Sequence, residues 1–169
     1  MKNISVVLLL AVLVLNACGS EDKNQPSDTA KEKLAAKFGL TVFEYENGIG
    51  PVKEKINVPE TIDQIMARSG KEIFEAKCTQ CHKLNERYTG PALGDVTKRR
   101  TPEYIMNMIL NPAEMAQKHP EARKLLGLYA TQMTFQNVTK EDARKILEYL
   151  RSGKKSNLVE IISERLRIN

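Results

Sequence analysis

The chain has 169 residues, with 26 Lys and Arg against 21 Asp and Glu, a formal net charge of +5, three Cys, no Trp and 41% apolar residues. That is enough for one small domain with appendages and too little for a large multidomain enzyme. The charge is modest, and five Tyr with four Phe are few for stacking on bases, so no nucleic-acid partner is expected.

Lys2 precedes an apolar run from Ile4 to Leu15, broken only by Ser5 and followed by Asn16-Ala17-Cys18. A helix of that length rises only ~18 Å against a hydrocarbon core of ~30 Å, so it does not span a bilayer and reads as the core of an export signal. A small residue directly before a Cys resembles the bacterial lipoprotein signal, in which the thiol is acylated and cleavage makes Cys18 the first residue. The expectation is a signal over residues 1–17 and a product on the periplasmic side of a bacterial membrane, held there by lipid on Cys18. Residues 18–33 contain no large apolar side chain after that Cys and are expected to be a flexible linker.

Residues 34–67 form an N-terminal extension. In it a short apolar alternation, Thr41 to Glu46, and a Gly-Ile-Gly-Pro turn suggest an extended arm lying on a core. From Pro59 the signals turn helical. A first helix is expected from about Glu60 to Lys77, with Ile62, Ile65, Met66, Ile73 and Phe74 as its apolar stripe and a break at Ser69-Gly70. It runs into Cys78-Thr79-Gln80-Cys81-His82.

This C-x-x-C-H sequence is the strongest chemical signal in the chain. Two thiols three residues apart lie on one side of a helical turn, where each can add to a vinyl group of a haem, and the adjacent His82 presents an imidazole to the iron. A zinc site would need two more ligands, and only His119 and Cys18 are candidates. A thioredoxin-like dithiol would follow a strand in a βαβ pattern, which is missing here, and a disulfide across two residues is rarer still. The reading is one covalent haem c on Cys78 and Cys81.

Beyond the motif, Thr101 caps a helix with Pro102 at its first position and Ile105, Met108 and Ile109 on one face, stopping at Asn111 before Pro112. Another runs from about Pro120 to Ala130, with His119 as its starting residue. The last runs from Thr139 to about Arg151, Thr139 and Asp142 resembling a capping box, with Ala143, Ile146, Leu147 and Leu150 at helical spacing. The tail, residues 154–169, places Leu158, Ile161, Ile162 and Leu166 on one helical face suited to packing on the domain.

Residues 68–153 resemble the monohaem class I c-type cytochromes. In that family a helix carrying a Gly and an aromatic four residues later leads into the haem motif and crosses a C-terminal helix bearing another aromatic. Gly70, Phe74 and Tyr149 occupy those positions here. The family then has a Gly-Pro whose carbonyl accepts the Nδ1 proton of the ligand His, matched by Gly90-Pro91. The resemblance implies an all-α cytochrome c fold of four to five short helices wrapped around the haem. It also implies a sixth ligand from a loop before the last helix, and Met133 in Thr131-Gln132-Met133-Thr134-Phe135 fills that place. Met66, Met106, Met108 and Met115 lie in helical patterns and read as packing.

With both axial positions filled, the implied function is one-electron transfer and not catalysis: a tethered carrier between a respiratory donor and a terminal reductase or oxidase. The alternatives are a haem sensor or peroxidase-like enzyme with a labile sixth ligand, and a fixed subunit of a larger complex. Gly19 to Ala67 carries six basic and nine acidic residues, whereas Arg68 to Lys155 carries seventeen and ten. The positive field therefore belongs to the second half, where Lys71, Lys77, Lys83 and Lys98-Arg99-Arg100 would meet a redox partner with an acidic docking face.

Overall fold

Asp63 begins the helix that carries the cysteine motif. Its carboxylate accepts the Met66 N–H at 2.9 Å, so that α3 spans Gln64–Lys77. The helix thus starts four residues later than expected, because the cap is Asp63 and residues 60–63 are non-helical. Nor does it break at Gly70. That glycine has another cause: a Cβ there would lie 1.9 Å from the carbonyl oxygen of Lys145 in the last helix, α8, Lys140–Ser152. Glycine lets the two backbones touch. The buried face of α3 is accordingly Ala67, Gly70 and Phe74, while Ile65, about 200° around the helix from Ala67, is 81% exposed.

The computed structural model describes residues 28–153. Export signal, Cys18, the first part of the expected linker and the tail lie outside the described residues. Within them the chain is all-α: eight helices and no strand, more than the four to five expected. The short α4, Val96–Arg99, and α6, Pro112–Lys118, account for part of the difference; two more precede the cysteine motif.

Those two correct the reading of the N-terminal extension. α1, Asp28–Lys37, occupies the last six residues of the expected linker, and Ala35, just beyond that linker, is 1% exposed. α2, Val42–Asn47, replaces the extended arm. Thr41 and Glu44 form a capping box, each side chain bonding the other's backbone N–H, and six alternating residues are too few to outweigh that cap. Lys31 and Glu46 join α1 to α2 at 3.0 Å.

α5, Pro102–Leu110, and α7, Pro120–Tyr129, start where the sequence places them, capped by Thr101 and His119 with Pro at the first position. α8 begins after Thr139, whose capping box with Asp142 is complete. α3, α5 and α8 enclose the main core of Phe74, Ile105, Met106, Ile146, Leu147 and Leu150. Tyr149 crosses Phe74 with ring centroids 5.3 Å apart. A smaller cluster of Ile49, Tyr104, Met115 and Ala122 joins the extension to α5, α6 and α7.

Buried polar side chains fasten the extension. Asn107, wholly buried on α5, donates to the carbonyls of Asn47, Gly48 and Val52 and accepts the Val52 N–H at 2.9 Å. Glu103 accepts the Ile56 N–H. Glu148 on α8 accepts the Asp63 N–H at 3.0 Å and is flanked by Arg144 and Arg151, which offset the cost of burying a carboxylate.

Gly70→Ala tests the α3–α8 contact. Alanine gains about 1 kcal/mol of helix propensity, but the added methyl meets backbone that cannot turn aside, so a net loss of about 2 kcal/mol or more is expected from denaturant unfolding of the haem-loaded protein.

Candidate functional site

α3 ends at Lys77, and Cys78 follows as its C-cap, its N–H bonded to the Phe74 carbonyl. The chain then makes one more turn, with Cys81 N–H and His82 N–H both donating to the Cys78 carbonyl at 3.1 and 2.9 Å. That turn brings both free thiols and the imidazole to one cavity of about 210 Å³. Apolar side chains of α3, α5, α7 and α8, among them Phe74, Ile109, Leu126, Ile146 and Leu150, form most of its wall.

Burial pushes the Cys78 thiol up to about 11. It is therefore protonated at neutral pH, the opposite of the low-pKa thiolate of a redox dithiol. Among the described residues no group of three or more His, Cys, Asp or Glu could hold a metal ion.

His82 is held from behind. Its Nδ1 lies 3.0 Å from the Pro91 carbonyl oxygen, and since a carbonyl only accepts, Nδ1 carries the proton and Nε2 keeps the lone pair. The loop that supplies Pro91 is tied to the motif by Gly90 N–H to Cys81 O at 2.7 Å, Leu93 N–H to Lys83 O and Gly94 N–H to Leu84 O. Gly90 is also a seat for the ring: a Cβ there would stand 2.5 Å from His82 Cε1. Two thiols, a tautomer-fixed imidazole and an apolar hollow fit a covalently held haem.

Met133 lines the same cavity, so Cys78, Cys81, His82, Pro91 and Met133 are all brought together. Met108 lines it too, from within α5. The other methionines are placed elsewhere. Met106 is buried in the main core, Met66 lies outside the cavity wall, and the Met115 sulfur accepts the Ile49 N–H at 3.0 Å. His119 is 1% exposed and has both ring nitrogens engaged, Nε2 with the Tyr45 carbonyl at 3.1 Å and Nδ1 with the Glu121 N–H at 3.3 Å.

Of the basic residues expected near the site, Lys77, Arg99 and Arg100 reach the cavity wall. Lys83 stacks over the Tyr88 ring at 5.2 Å, and Lys71 pairs with Glu75 on the outside of α3. Sequence reasoning missed Tyr104, a buried residue of the cavity wall that a helical apolar pattern presents as ordinary packing. It also missed Arg87, whose guanidinium bonds the Leu128 carbonyl at 3.0 Å and lies 4.4 Å from the centre of the Tyr129 ring.

Comparison with known proteins agrees with this geometry. The family model described as Cytochrome c matches residues 67–154. Among solved structures, a cytochrome c from Rhodothermus marinus is 48% identical over 67% of this chain and 97% of its own, with a TM-score of 0.63. An engineered form of that protein, Rma TDE, is 47% identical over 66% of this chain and 96% of its own, with a TM-score of 0.63. The same engineered protein bound to a carbene intermediate matches at 47% identity and a TM-score of 0.61, over the same shares of both chains. No curated protein matches. The hollow, the paired thiols and these likenesses place the chain in the cytochrome c family of electron carriers, with haem c attached through Cys78 and Cys81.

Proposed function

We propose that this protein is a monohaem class I cytochrome c in which His82 and Met133 would hold the haem iron, and that it shuttles electrons beside a bacterial membrane, tethered through lipid on Cys18. The observation that carries the reading is the convergence of Cys78, Cys81, His82 and Met133 on one apolar cavity, with Nδ1 of His82 committed to Pro91.

The chain's own residues do the tuning. The Pro91 carbonyl fixes the ring of His82 and raises the basicity of Nε2. Met133 lies between α7 and α8 in a stretch without helix or strand, where its thioether is not committed to packing within a helix as that of Met108 is. A thioether ligand and apolar walls both favour the ferrous state and raise the potential. When bound, the haem supplies reversible one-electron chemistry.

A second reading, a haem enzyme or sensor whose sixth ligand lifts away, draws on the backbone. Ala130 and Asn137, both at φ 52°, bracket Met133 in the left-handed region, which for a non-glycine residue costs about 1–2 kcal/mol. Carbon monoxide separates the two: a carrier with a firm Met133 resists it when reduced, and an opened site takes it up.

For membrane attachment the support is the sequence at Cys18 together with a fold whose described helices are none of them long and apolar enough to cross a membrane. Lys77, Arg99 and Arg100 at the cavity, with Lys83 and Arg87 on the motif loop, suit an acidic redox partner and weak, fast docking.

Three outcomes are expected. Met133→Ala loses the weak long-wavelength sulfur-to-ferric-iron absorption band, lowers the midpoint potential and binds carbon monoxide; retention of the band would assign the ligand elsewhere. The C78A/C81A double variant carries no covalent haem in mass spectra and, with its hollow unfilled, melts without cooperativity by circular dichroism. The association rate with an acidic redox partner falls several-fold as added salt shortens the screening length from about 30 Å to about 10 Å, and a flat profile would remove the steering role.

A further inference from the structure

Arg87 lies five residues after His82, and it bonds Leu128, which lies five residues before Met133. Its Nη2 donates to the Leu128 carbonyl at 3.0 Å, and its guanidinium stands 4.4 Å from the centre of the ring of Tyr129, a residue of the cavity wall. One side chain therefore joins the loop that follows the cysteine motif to the last turn of α7, across 41 residues of sequence.

The end of α7 needs that cation. The Ala130 N–H still reaches the Leu126 carbonyl at 2.9 Å, but Leu128 is among the last residues of the helix, whose carbonyls find no N–H further along it. A helix C-terminus carries partial negative charge that a cation offsets, and the last turn of α7 contains no basic residue of its own. Arg87 supplies the charge from another part of the chain. Past that helix end the backbone turns left-handed at Ala130, φ 52°, and residues 131–139 run without helix or strand. A non-glycine residue holds that conformation only where its surroundings enforce it. On the far side of Met133 the Lys77 ammonium grips the Gln136 carbonyl at 3.0 Å, so the segment is anchored at its exit as well.

We propose that Arg87 is a positioning residue for Met133: by capping α7 from the motif loop and stacking on Tyr129, it fixes where the Met133 segment leaves the helix. The inference rests on Met133 holding the iron, as proposed above. Arg87 is not part of the cavity wall, so it acts through Leu128 and Tyr129. A guanidinium suits the post, because its planar fork can bond a carbonyl and lie over a ring at once, which an ammonium on a flexible stem does less well. The contact is exposed to water, so it governs how often the segment lifts and not whether the domain folds.

The test compares haem-loaded wild-type, Arg87→Ala, Arg87→Lys and Arg123→Ala proteins, the last removing an equal charge from an exposed position on the same helix. The probe is imidazole, a good iron ligand that competes with a thioether for the ferric form, followed by loss of the sulfur-to-ferric-iron band. Arg87→Ala is expected to bind imidazole about tenfold more tightly than wild type, the low end for loss of a charge-assisted hydrogen bond because the contact is exposed. Amide hydrogen exchange quickens across residues 128–139 in that variant, while the amides of α3 and α8 keep their wild-type rates. Arg87→Lys falls between the two, and Arg123→Ala matches wild type. An Arg87→Ala protein with wild-type imidazole affinity overturns the positioning role. So does exchange that quickens equally throughout the protein, an Arg123→Ala protein that opens as far, or an Arg87→Lys protein no better than Arg87→Ala. A wild-type protein without the sulfur-to-iron band, or a Met133→Ala protein that keeps it, would instead overturn the ligand reading, so the two failures are distinguishable.

Discussion

The site depends on the contact at Gly70. α3 must come close enough to α8 for backbone to meet backbone, because the motif that holds the cofactor begins at the last residue α3 caps, and any displacement of that helix is carried directly to Cys78. Phe74, one turn further along, then seals the crossing against Tyr149 and Ile146 while facing the cavity with its own ring. One small residue thus sets the spacing, and one large residue closes what the spacing leaves open.

Around that frame the protein arranges two kinds of polar contact. One kind orients a functional atom, as the Pro91 carbonyl does for His82. The other satisfies backbone that would be stranded without it, as Asn107 does for the Asn47–Val52 loop. Both replace solvent with a fixed partner in a low-dielectric setting, where an orphaned group is costly. Haem fits the cavity between them as a filler of apolar space. For a domain of this size, a bound macrocycle adds the buried surface that few aromatics could provide.

Much of this was legible in the chain itself. The C-x-x-C-H spacing, the Gly90-Pro91 pair and the caps at Thr101 and Thr139 are local chemistry, and local chemistry survives into the fold. What the sequence hid depends on partners far away along the chain. Ile65 matches a helical stripe, yet the face that α8 touches is made of Ala67 and Gly70, whose smallness is the point of contact. Thr41 to Glu46 alternates like a strand, but a capping box settles it as helix. Tyr104 looks like core until its hydroxyl is found beside a cationic wall.

The extension has a consequence for how such molecules are put together. Asn107, Glu103 and Glu148 sit within the region matched by the family model, yet the groups they satisfy belong to residues 47–63, upstream of it. The recognisable signature is therefore shorter than the unit that can be transplanted. A recombination event joining new sequence at residue 67 would inherit the haem-binding half with three buried side chains deprived of their counterparts, whereas a crossover ahead of Asn47 would carry the complete set.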